Sequence, residues 1–192
     1  HKSMRPKHAY GASKYDSELY CLEQTDIPWI GLRPRAVFGK GDETLIPRLE
    51  RLISDKRYLT IGKGDALIDI TCLGNFLDAV VCAIEANDDA LHRFYNISNG
   101  DARSFKSIIA AYANRNERQL KHRKIPLIPV LIYSNLITIA ASMVPGKTWE
   151  PTITNYGLRQ ITRSLRLDIS GAKKYLNWTP RLTFEDGLEE LE

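Results

Sequence analysis

A tyrosine and a lysine lie four residues apart near the start of the 192-residue chain, at Tyr10 and Lys14. If this segment is helical, the two side chains project from the same face about one turn apart. An ammonium group beside a phenol favours the phenolate, so the tyrosine could exchange a proton near neutral pH. Such a pair also arises by chance, so its interpretation depends on the segments that follow.

The segments after this pair alternate between strand-like and helix-like patterns. The run 27–37 predicts a strand that enters a Gly-rich turn at 38–42, and the apolar spacing within 44–53 predicts a helix. The same reasoning predicts further strands at 58–62, 67–71 and 93–97, an extended segment at 164–169, and helices at 75–86, 105–113, 130–143, 171–176 and 183–191. We expect Ser104 and Ser170 to cap their helices, and Ile84 to face inward from the helix at 75–86.

Several ordered motifs resemble those of the extended short-chain dehydrogenase/reductase superfamily, which includes nucleotide-sugar epimerases and dehydratases and 3β-hydroxysteroid dehydrogenase-like enzymes. The motifs are Tyr-x-x-x-Lys at 10–14, Leu-Arg-Pro at 32–34, Val-Phe-Gly at 37–39, the strand-to-helix segment 68–79, Tyr-Asn-Ile at 95–97 and the closing segment 167–180. In the last motif Asn177 replaces the usual glycine, and asparagine tolerates the left-handed conformation required there. The resemblance runs from about Tyr10 to the C-terminus.

This resemblance implies an α/β fold in two parts. Residues 1–55 would form the C-terminal part of a Rossmann-type parallel sheet, and residues 56–192 a small α/β substrate-binding domain. The Gly-rich turn that holds the cofactor pyrophosphate in such enzymes is not found in the sequence, and only nine residues precede Tyr10. We therefore expect the C-terminal part of an enzyme, inactive on its own, with a homodimer as one possible assembly.

The resemblance also implies roles for individual residues. Tyr10 and Lys14 would be catalytic, with Tyr10 exchanging a proton with a substrate hydroxyl or carbonyl oxygen. Lys14 would also hold the ribose hydroxyls of NAD or NADP, whose nicotinamide exchanges the hydride. Arg33, Pro34 and Val37 would lie in the cofactor cleft, because doubly wound sheets bind ligands at the carboxyl ends of their strands.

The expected substrate is a small-molecule alcohol or carbonyl compound, either sterol-like or a nucleotide sugar. Epimerases that act on nucleotide sugars usually carry an arginine for the substrate diphosphate just before the position of Asp69, where this chain has Leu67 and Ile68. This difference favours a 3β-hydroxysteroid dehydrogenase-like enzyme over a 4-epimerase or dehydratase, and a non-catalytic binding module is a third interpretation. Arg159 and Arg166 are the candidate substrate-binding residues, whereas Asp69 and the nearby Thr71 are expected to be structural.

The composition is that of a folded globular protein, with 43% hydrophobic and 26% charged residues and a net charge of +4. The basic residues are dispersed, which argues against a nucleic-acid interface. The densest basic run, 118–124, is short and favours a solvated strand or loop edge over contact with a phosphate-bearing substrate or an acidic membrane surface. Cys21, Cys72 and Cys82 lack Cys-x-x-Cys spacing and are expected to be free buried thiols in the cytoplasm. The four histidines lack ligand spacing, so we predict no metal site.

The apolar segment 125–145 is long enough to raise the question of a membrane span. Pro126 and Pro129 should delay its helix, and four polar residues interrupt it, so the predicted helix covers only 130–143. Three interpretations follow. The favoured one is a helix that is buried or lines the substrate cleft, the second is a peripheral membrane or dimer contact, and the third is a true span.

Overall fold

The computed structural model describes residues 5–6, 9–54, 57–115, 121–142 and 155–191. Its helices are α1 (Ala9–Glu23), α2 (Leu45–Glu50), α3 (Leu73–Ile84), α4 (Phe105–Arg115), α5 (Leu127–Ser142), α6 (Asn155–Thr162), α7 (Ser170–Tyr175) and α8 (Phe184–Glu189). Its strands are β1 (Ile30–Pro34), β2 (Val37–Phe38), β3 (Ile53–Ser54), β4 (Arg57–Ile61), β5 (Leu67–Ile68), β6 (Thr71–Cys72), β7 (Arg93–Ile97), β8 (Arg103–Ser104) and β9 (Lys121–Ile125). The mixed α/β fold predicted from the sequence is confirmed.

Two parallel strand pairs carry the carboxyl ends at which the cofactor cleft was predicted. β1 lies beside β7, with Ile30 opposite Arg93 and Pro34 opposite Ile97. β2 lies beside β6. Paired parallel strands need a long connection, and the one between β1 and β7 contains α3. β1 precedes residue 55 and β7 follows it, so this strand pair contains one strand from each of the two predicted domains. The division into two domains at residue 55 stays a prediction.

The expected strand at 27–37 is two strands separated by a bend. Ala36 has a φ of 45°, a left-handed conformation that extended strands do not contain. The bend is held by Thr71, whose hydroxyl donates to the carbonyl of Arg35 at 2.6 Å, while the amide of Thr71 donates to the carbonyl of Ala36. The chain thereby leaves β7 after Pro34 and pairs instead with β6 at Val37.

The expected inward position of Ile84 is wrong, because this side chain is 79% exposed. The buried residues of α3 are Asn75 and Ala79. Ile84 follows Ala79 by five residues and therefore points about 140° away around the helix, at roughly 100° per residue. The periodicity predicted the helix correctly but placed its inner face incorrectly at this end.

Helix caps were predicted in part. The hydroxyl of Ser104 accepts the amide of Ser107 at 3.1 Å, as expected at the start of α4. Ser170 is not the cap of α7 but its first residue, and its amide donates to the carboxylate of Asp168 at 2.9 Å. Asn177 has a φ of 49° after α7, which confirms the left-handed position predicted for it.

α5 starts at Leu127, three residues before the predicted start, and Pro129 lies in its first turn. A proline is tolerated there because the first amides of a helix have no partner within it. Val130, on the inner side of α5, packs in an apolar cluster with Ile61 and Leu158. Within the part of the chain that the structure covers, no helix has the length and apolar character needed to cross a membrane.

The turn before α2 is closed by the carboxylate of Asp42. It accepts hydrogen bonds from the backbone amides of Thr44 at 2.7 Å, Leu45 at 3.0 Å and Ile46 at 3.0 Å. Burial raises the pKa of Asp42, but these amides favour the ionised form, and the net effect is a pKa below the ordinary value. A carboxylate at this position also interacts favourably with the amino end of α2.

We therefore expect Asp42→Asn to lower the free energy of unfolding near neutral pH by about 1 kcal/mol. The pKa of Asp42 is lower in the folded state than in the unfolded chain, where it is about 3.9. Asp42 therefore stabilises the fold fully above that pH, and this stabilisation is lost as the pH falls through the folded-state pKa. The difference between wild type and Asp42→Asn should thus shrink below about pH 4. Urea unfolding across this range measures it, with the exposed Glu43→Gln as the matched control. A constant difference at all pH values would contradict the assignment.

Candidate active site

Tyr10 and Lys14 lie on one face of α1, as their spacing predicted. The ammonium nitrogen of Lys14 is 5.8 Å from the centre of the Tyr10 ring, and Tyr10 is 67% exposed. Ser13 between them turns its hydroxyl to the helix backbone, where it donates to the carbonyl of Tyr10 at 2.8 Å. The phenol and the ammonium group are thus both accessible to a ligand from the same side.

α1 is held against β1 by an ion pair between Glu18 and Arg33. The guanidinium of Arg33 donates to both carboxylate oxygens of Glu18, through Nε at 2.6 Å and through a second, shorter contact. Arg33 also lies over the ring of Phe94 on β7, 4.4 Å from its centre. Bidentate pairing fixes orientation as well as distance.

This ion pair determines the end of the sheet at which the candidate pair lies. α1 and β1 are joined by the short connection 24–29 and run in opposite directions, so residues before Glu18 lie towards the carboxyl end of β1. At about 1.5 Å per residue, Lys14 lies roughly 6 Å and Tyr10 roughly 12 Å beyond Glu18 along the helix. Sequence reasoning missed Glu18, although it continues the four-residue spacing of Tyr10 and Lys14.

The other predicted cofactor residues lie on either side of the bend that follows β1. Arg33 and the exposed Pro34 form the carboxyl end of β1, and the half-buried Val37, three residues after Pro34, begins β2 opposite Thr71. Thr71 is fully buried and holds the intervening bend, which confirms its expected structural role.

Asp69 has a comparable structural role. It is buried, and its carboxylate accepts the amide of Leu167 at 2.5 Å. This bond connects the segment before β6 to the extended stretch that leads into α7, as the structural interpretation of Asp69 predicted.

A buried polar network that the sequence did not reveal lies behind these strand ends. The amide nitrogen of Asn75 donates to the side-chain oxygen of Asn99 at 2.8 Å, and that oxygen also accepts the backbone amide of Cys72 at 2.9 Å. The amide nitrogen of Asn99 reaches the sulfur of Cys72 at 2.9 Å. Both asparagines occur in segments that resemble family motifs, but nothing in their spacing indicated that they meet.

Cys72 is not a nucleophile in this arrangement. Burial raises the pKa of its thiol, which keeps it protonated, and the thiol donates to the carbonyl of Thr183 at 3.2 Å. The three cysteines are free, but only Cys72 is buried. The predicted burial of Cys21 and Cys82 is wrong, because each lies on a helix side that its neighbours cover only in part.

The two candidate substrate residues are not brought to the Tyr10–Lys14 pair by any contact within the described ranges. Arg166 is exposed in the extended segment after α6, next to Leu165, which bridges to Ile68 of β5. Arg159 belongs to α6, and its side chain lies outside the described residues, as does that of the neighbouring Tyr156.

An apolar depression of about 330 Å³ lies elsewhere, between the start of β1 and α3. It is lined by residues such as Trp29, Ile30, Val80 and Ile84, and by none of the predicted site residues. Its open, apolar lining offers no group for proton transfer, so this depression is not a candidate for the chemistry predicted at Tyr10.

Comparison with known proteins identifies the family of the chain. Residues 1–98 match the NAD dependent epimerase/dehydratase family, and this range includes α1, the parallel pairs β1–β7 and β2–β6, and the bend between β1 and β2. The Uncharacterized protein YbjS of Escherichia coli is 31% identical over 83% of this chain and 47% of its own length. The decarboxylating sterol-4-alpha-carboxylate 3-dehydrogenase ERG26 of Saccharomyces cerevisiae is 28% identical over 96% of this chain and 56% of its own length.

Solved structures show the same fold. The UDP-glucuronic acid 4-epimerase of Bacillus cereus, crystallised with NAD, superposes with a TM-score of 0.65 at 21% identity, over 96% of this chain and 50% of that one. The chain thus spans about half the length of the curated relatives and of the solved structure that it matches.

Proposed function

Because the chain belongs to the NAD dependent epimerase/dehydratase family, we propose that Tyr10 and Lys14 are the proton-transfer pair of an NAD- or NADP-dependent enzyme acting on a hydroxyl or carbonyl group. The observation that supports this proposal best is their geometry. The phenol of Tyr10 and the ammonium group of Lys14 are both exposed on one helix face, with the Lys14 nitrogen 5.8 Å from the centre of the Tyr10 ring. The same helix is tied through Glu18 to Arg33, near the carboxyl end of β1. Ligands of doubly wound sheets bind at such ends.

The residues fit the nicotinamide-ribose half of such a cofactor. Lys14 offers three donors on a flexible stem, which suits vicinal ribose hydroxyls, and Arg33, Pro34 and Val37 border the same end of the sheet. Arg33 is already engaged by Glu18, so it would act by holding α1 in place rather than by binding phosphate. Holding the pyrophosphate would in addition require a Gly-rich turn at a helix N-terminus.

In the proposed reaction, the cofactor supplies or accepts a hydride at the substrate carbon. The hydroxyl of Tyr10 donates a proton to a substrate carbonyl oxygen, or as phenolate accepts one from a substrate hydroxyl. Lys14 would hold the ribose hydroxyls and so keep the reacting carbon in a fixed position relative to Tyr10. The Glu18–Arg33 ion pair ties α1 to β1 and so helps to fix the position of the Tyr10 phenol relative to that strand.

For the substrate, we propose an apolar alcohol of the kind processed by 3β-hydroxysteroid dehydrogenases. Ile68 is buried and Leu67 half-buried in β5, so the place where an arginine would grip a diphosphate carries apolar side chains. The nucleotide-sugar 4-epimerase or dehydratase is the alternative, supported by the fold shared with the UDP-glucuronic acid 4-epimerase. Sterol-like alcohols should give net reduction of the nicotinamide, seen as absorbance, whereas an epimerase would interconvert nucleotide sugars with no net change. A binding module would do neither.

Lys14→Met tests the assignment in the protein expressed from its complete reading frame. Loss of a charged hydrogen bond to the ribose should weaken NAD or NADP binding by roughly 10- to 100-fold. Turnover should fall as well, because the ribose contact of Lys14 positions the reacting carbon next to Tyr10. Calorimetric titration with the cofactor and steady-state kinetics give the two readouts. Lys14→Arg should recover part of the affinity, and Lys173→Met, on the exposed side of α7, should change neither. Unchanged cofactor affinity in Lys14→Met would remove Lys14 from the proposed site.

A further inference from the structure

Three side chains are stacked on the side of β1 that carries the Glu18–Arg33 ion pair. The ring of Phe94 on β7 lies 4.9 Å from the ring of Trp29, between centres, and the guanidinium of Arg33 lies 4.4 Å from the centre of the Phe94 ring. We call Trp29, Phe94 and Arg33 the Phe94 stack. Phe94 is paired with Gly31 across the two strands, so the ring crosses β1 between Trp29 and Arg33.

The Phe94 stack depends on the missing side chain of Gly31. A methyl group at this position would overlap with Cδ1 and Cε1 of the Phe94 ring. Gly31 is not among the glycines with a positive φ, so the backbone itself does not require glycine there. Glycine at this point of the strand is explained by the close approach of the ring.

Phe94 serves the side of the sheet that faces α1. Within the part of the chain that the structure describes, it belongs to none of the three apolar clusters. Its neighbours Tyr95 and Ile97 are buried, and they belong to the cluster that α3 and α7 form on the other side of β7. The contacts of the Phe94 ring are instead an indole and a cation.

The position of α1 depends on few contacts. None of its 15 residues is buried. The helix is held by the Glu18–Arg33 ion pair and by Trp29, whose indole nitrogen donates to the carbonyl of Gln24 at 3.0 Å, just after the helix.

The ion pair is exposed and needs support. The side chain of Arg33 is 43% exposed and that of Glu18 is 32% exposed. Pairs of this kind contribute little when two long side chains must be immobilised to form them. An aromatic ring against the guanidinium restricts Arg33 in advance and attracts its charge, so less conformational freedom is lost when Glu18 binds.

We propose that Phe94 and Gly31 are positioning residues for Tyr10. Gly31 admits the ring of Phe94, the ring holds the guanidinium of Arg33 towards Glu18, and Glu18 fixes the helix on which Tyr10 lies roughly two turns away. Because a displacement of about 1 Å can cost about 100-fold in rate, loosening the Phe94 stack lowers turnover without removing a catalytic residue. This proposal rests on the proposed role of Tyr10 in proton transfer.

Gly31→Ala tests the proposal without removing any member of the Phe94 stack. In the protein expressed from its complete reading frame, we expect kcat to fall by about 10- to 100-fold, with little change in KM. Phe94→Leu should give a similar loss, whereas Phe94→Tyr, which keeps the ring, should retain most of the rate. Gly171→Ala is the matched control, because its methyl group would make only an ordinary contact, 3.5 Å from Cδ1 of Tyr95.

A double-mutant cycle separates positioning from general packing. Glu18→Gln breaks the ion pair through which Phe94 acts, so adding Phe94→Leu to it should lower kcat no further. Phe76→Leu changes an aromatic residue packed against the cluster on the other side of β7, and it should lower stability to urea but keep kcat. Additive losses of Glu18→Gln and Phe94→Leu, or an unchanged kcat in Gly31→Ala, would overturn the proposal.

Hydrogen exchange distinguishes an error in the Phe94 stack from an error in the Tyr10 assignment. Gly31→Ala and Phe94→Leu should speed exchange of the α1 amides by roughly two- to fivefold, the equivalent of one cation–π contact, and Phe76→Leu should not. If Tyr10→Phe kept the wild-type rate while α1 loosened in these variants, the Phe94 stack would anchor α1 without serving Tyr10. Unchanged exchange in both variants would overturn the role of the stack whatever the activity.

Discussion

Replacing Tyr10 with phenylalanine is expected to lower turnover by about 10²- to 10⁴-fold in the protein expressed from its complete reading frame. The change removes the hydroxyl that we propose exchanges a proton with the substrate but keeps the aromatic ring. Tyr10 is 67% exposed, so the loss should not come from a damaged core. Cofactor affinity should change little, because the proposed ribose contact belongs to Lys14.

Tyr20→Phe is the matched control for this experiment. Tyr20 is on the same helix and is 65% exposed, but it lies ten residues further along, towards the amino end of β1. It should keep the wild-type rate. The readouts are kcat and kcat/KM from nicotinamide absorbance, together with the Kd for the cofactor. If Tyr10→Phe retained most of the activity, the pair would not be the catalytic one, and the binding-module interpretation would become the better explanation.

The candidate pair could be predicted from sequence because its geometry is local. Tyr10 and Lys14 belong to one helix, and the 3.6-residue period alone places them on the same face. The order of strands and helices was predictable for a similar reason, since apolar periodicity and Gly-rich turns act over short stretches. Where a single residue altered the local pattern, the prediction was less accurate, as with the positive φ of Ala36 that divides the expected first strand.

Contacts between distant segments could not be predicted from the pattern. Glu18 and Arg33 are 15 residues apart, and only the antiparallel packing of α1 on β1 brings them together. Asn75 and Asn99 occur in separate motifs, one at the start of a helix and the other after a strand. Each looks like an ordinary polar residue in its own segment, and their shared role depends on the crossover between β6 and β7.

Asn75 should be among the most sensitive positions for stability. Its side chain is fully buried and connects three segments that are far apart in the sequence. Its amide nitrogen donates to Asn99 and to the carbonyl of Leu182, and its oxygen accepts the backbone amides of Arg181 and Leu182, all at 2.8–2.9 Å. Asn75→Leu keeps the volume but leaves these backbone groups without a partner. At about 1–3 kcal/mol for each buried unsatisfied group, we expect a loss of roughly 3–5 kcal/mol in the free energy of unfolding.

Asn75→Asp distinguishes the hydrogen bonds from packing. The carboxyl group keeps an acceptor for the two amides but places oxygen against the oxygens of Asn99 and Leu182, so burial and repulsion should raise its pKa in the folded state. A raised folded pKa of an acid means that stability falls as the pH rises above about 4, the opposite of the trend expected for Asp42.

Urea unfolding between acid and neutral pH measures this difference, with the exposed Asn87→Asp as the control because the Asn87 side chain makes no capping bond. Wild-type stability of Asn75→Asp at every pH would indicate that side-chain volume alone matters at this site. A loss that grows with pH would show that the polar network fixes the ends of β6 and β7, next to the proposed cofactor cleft.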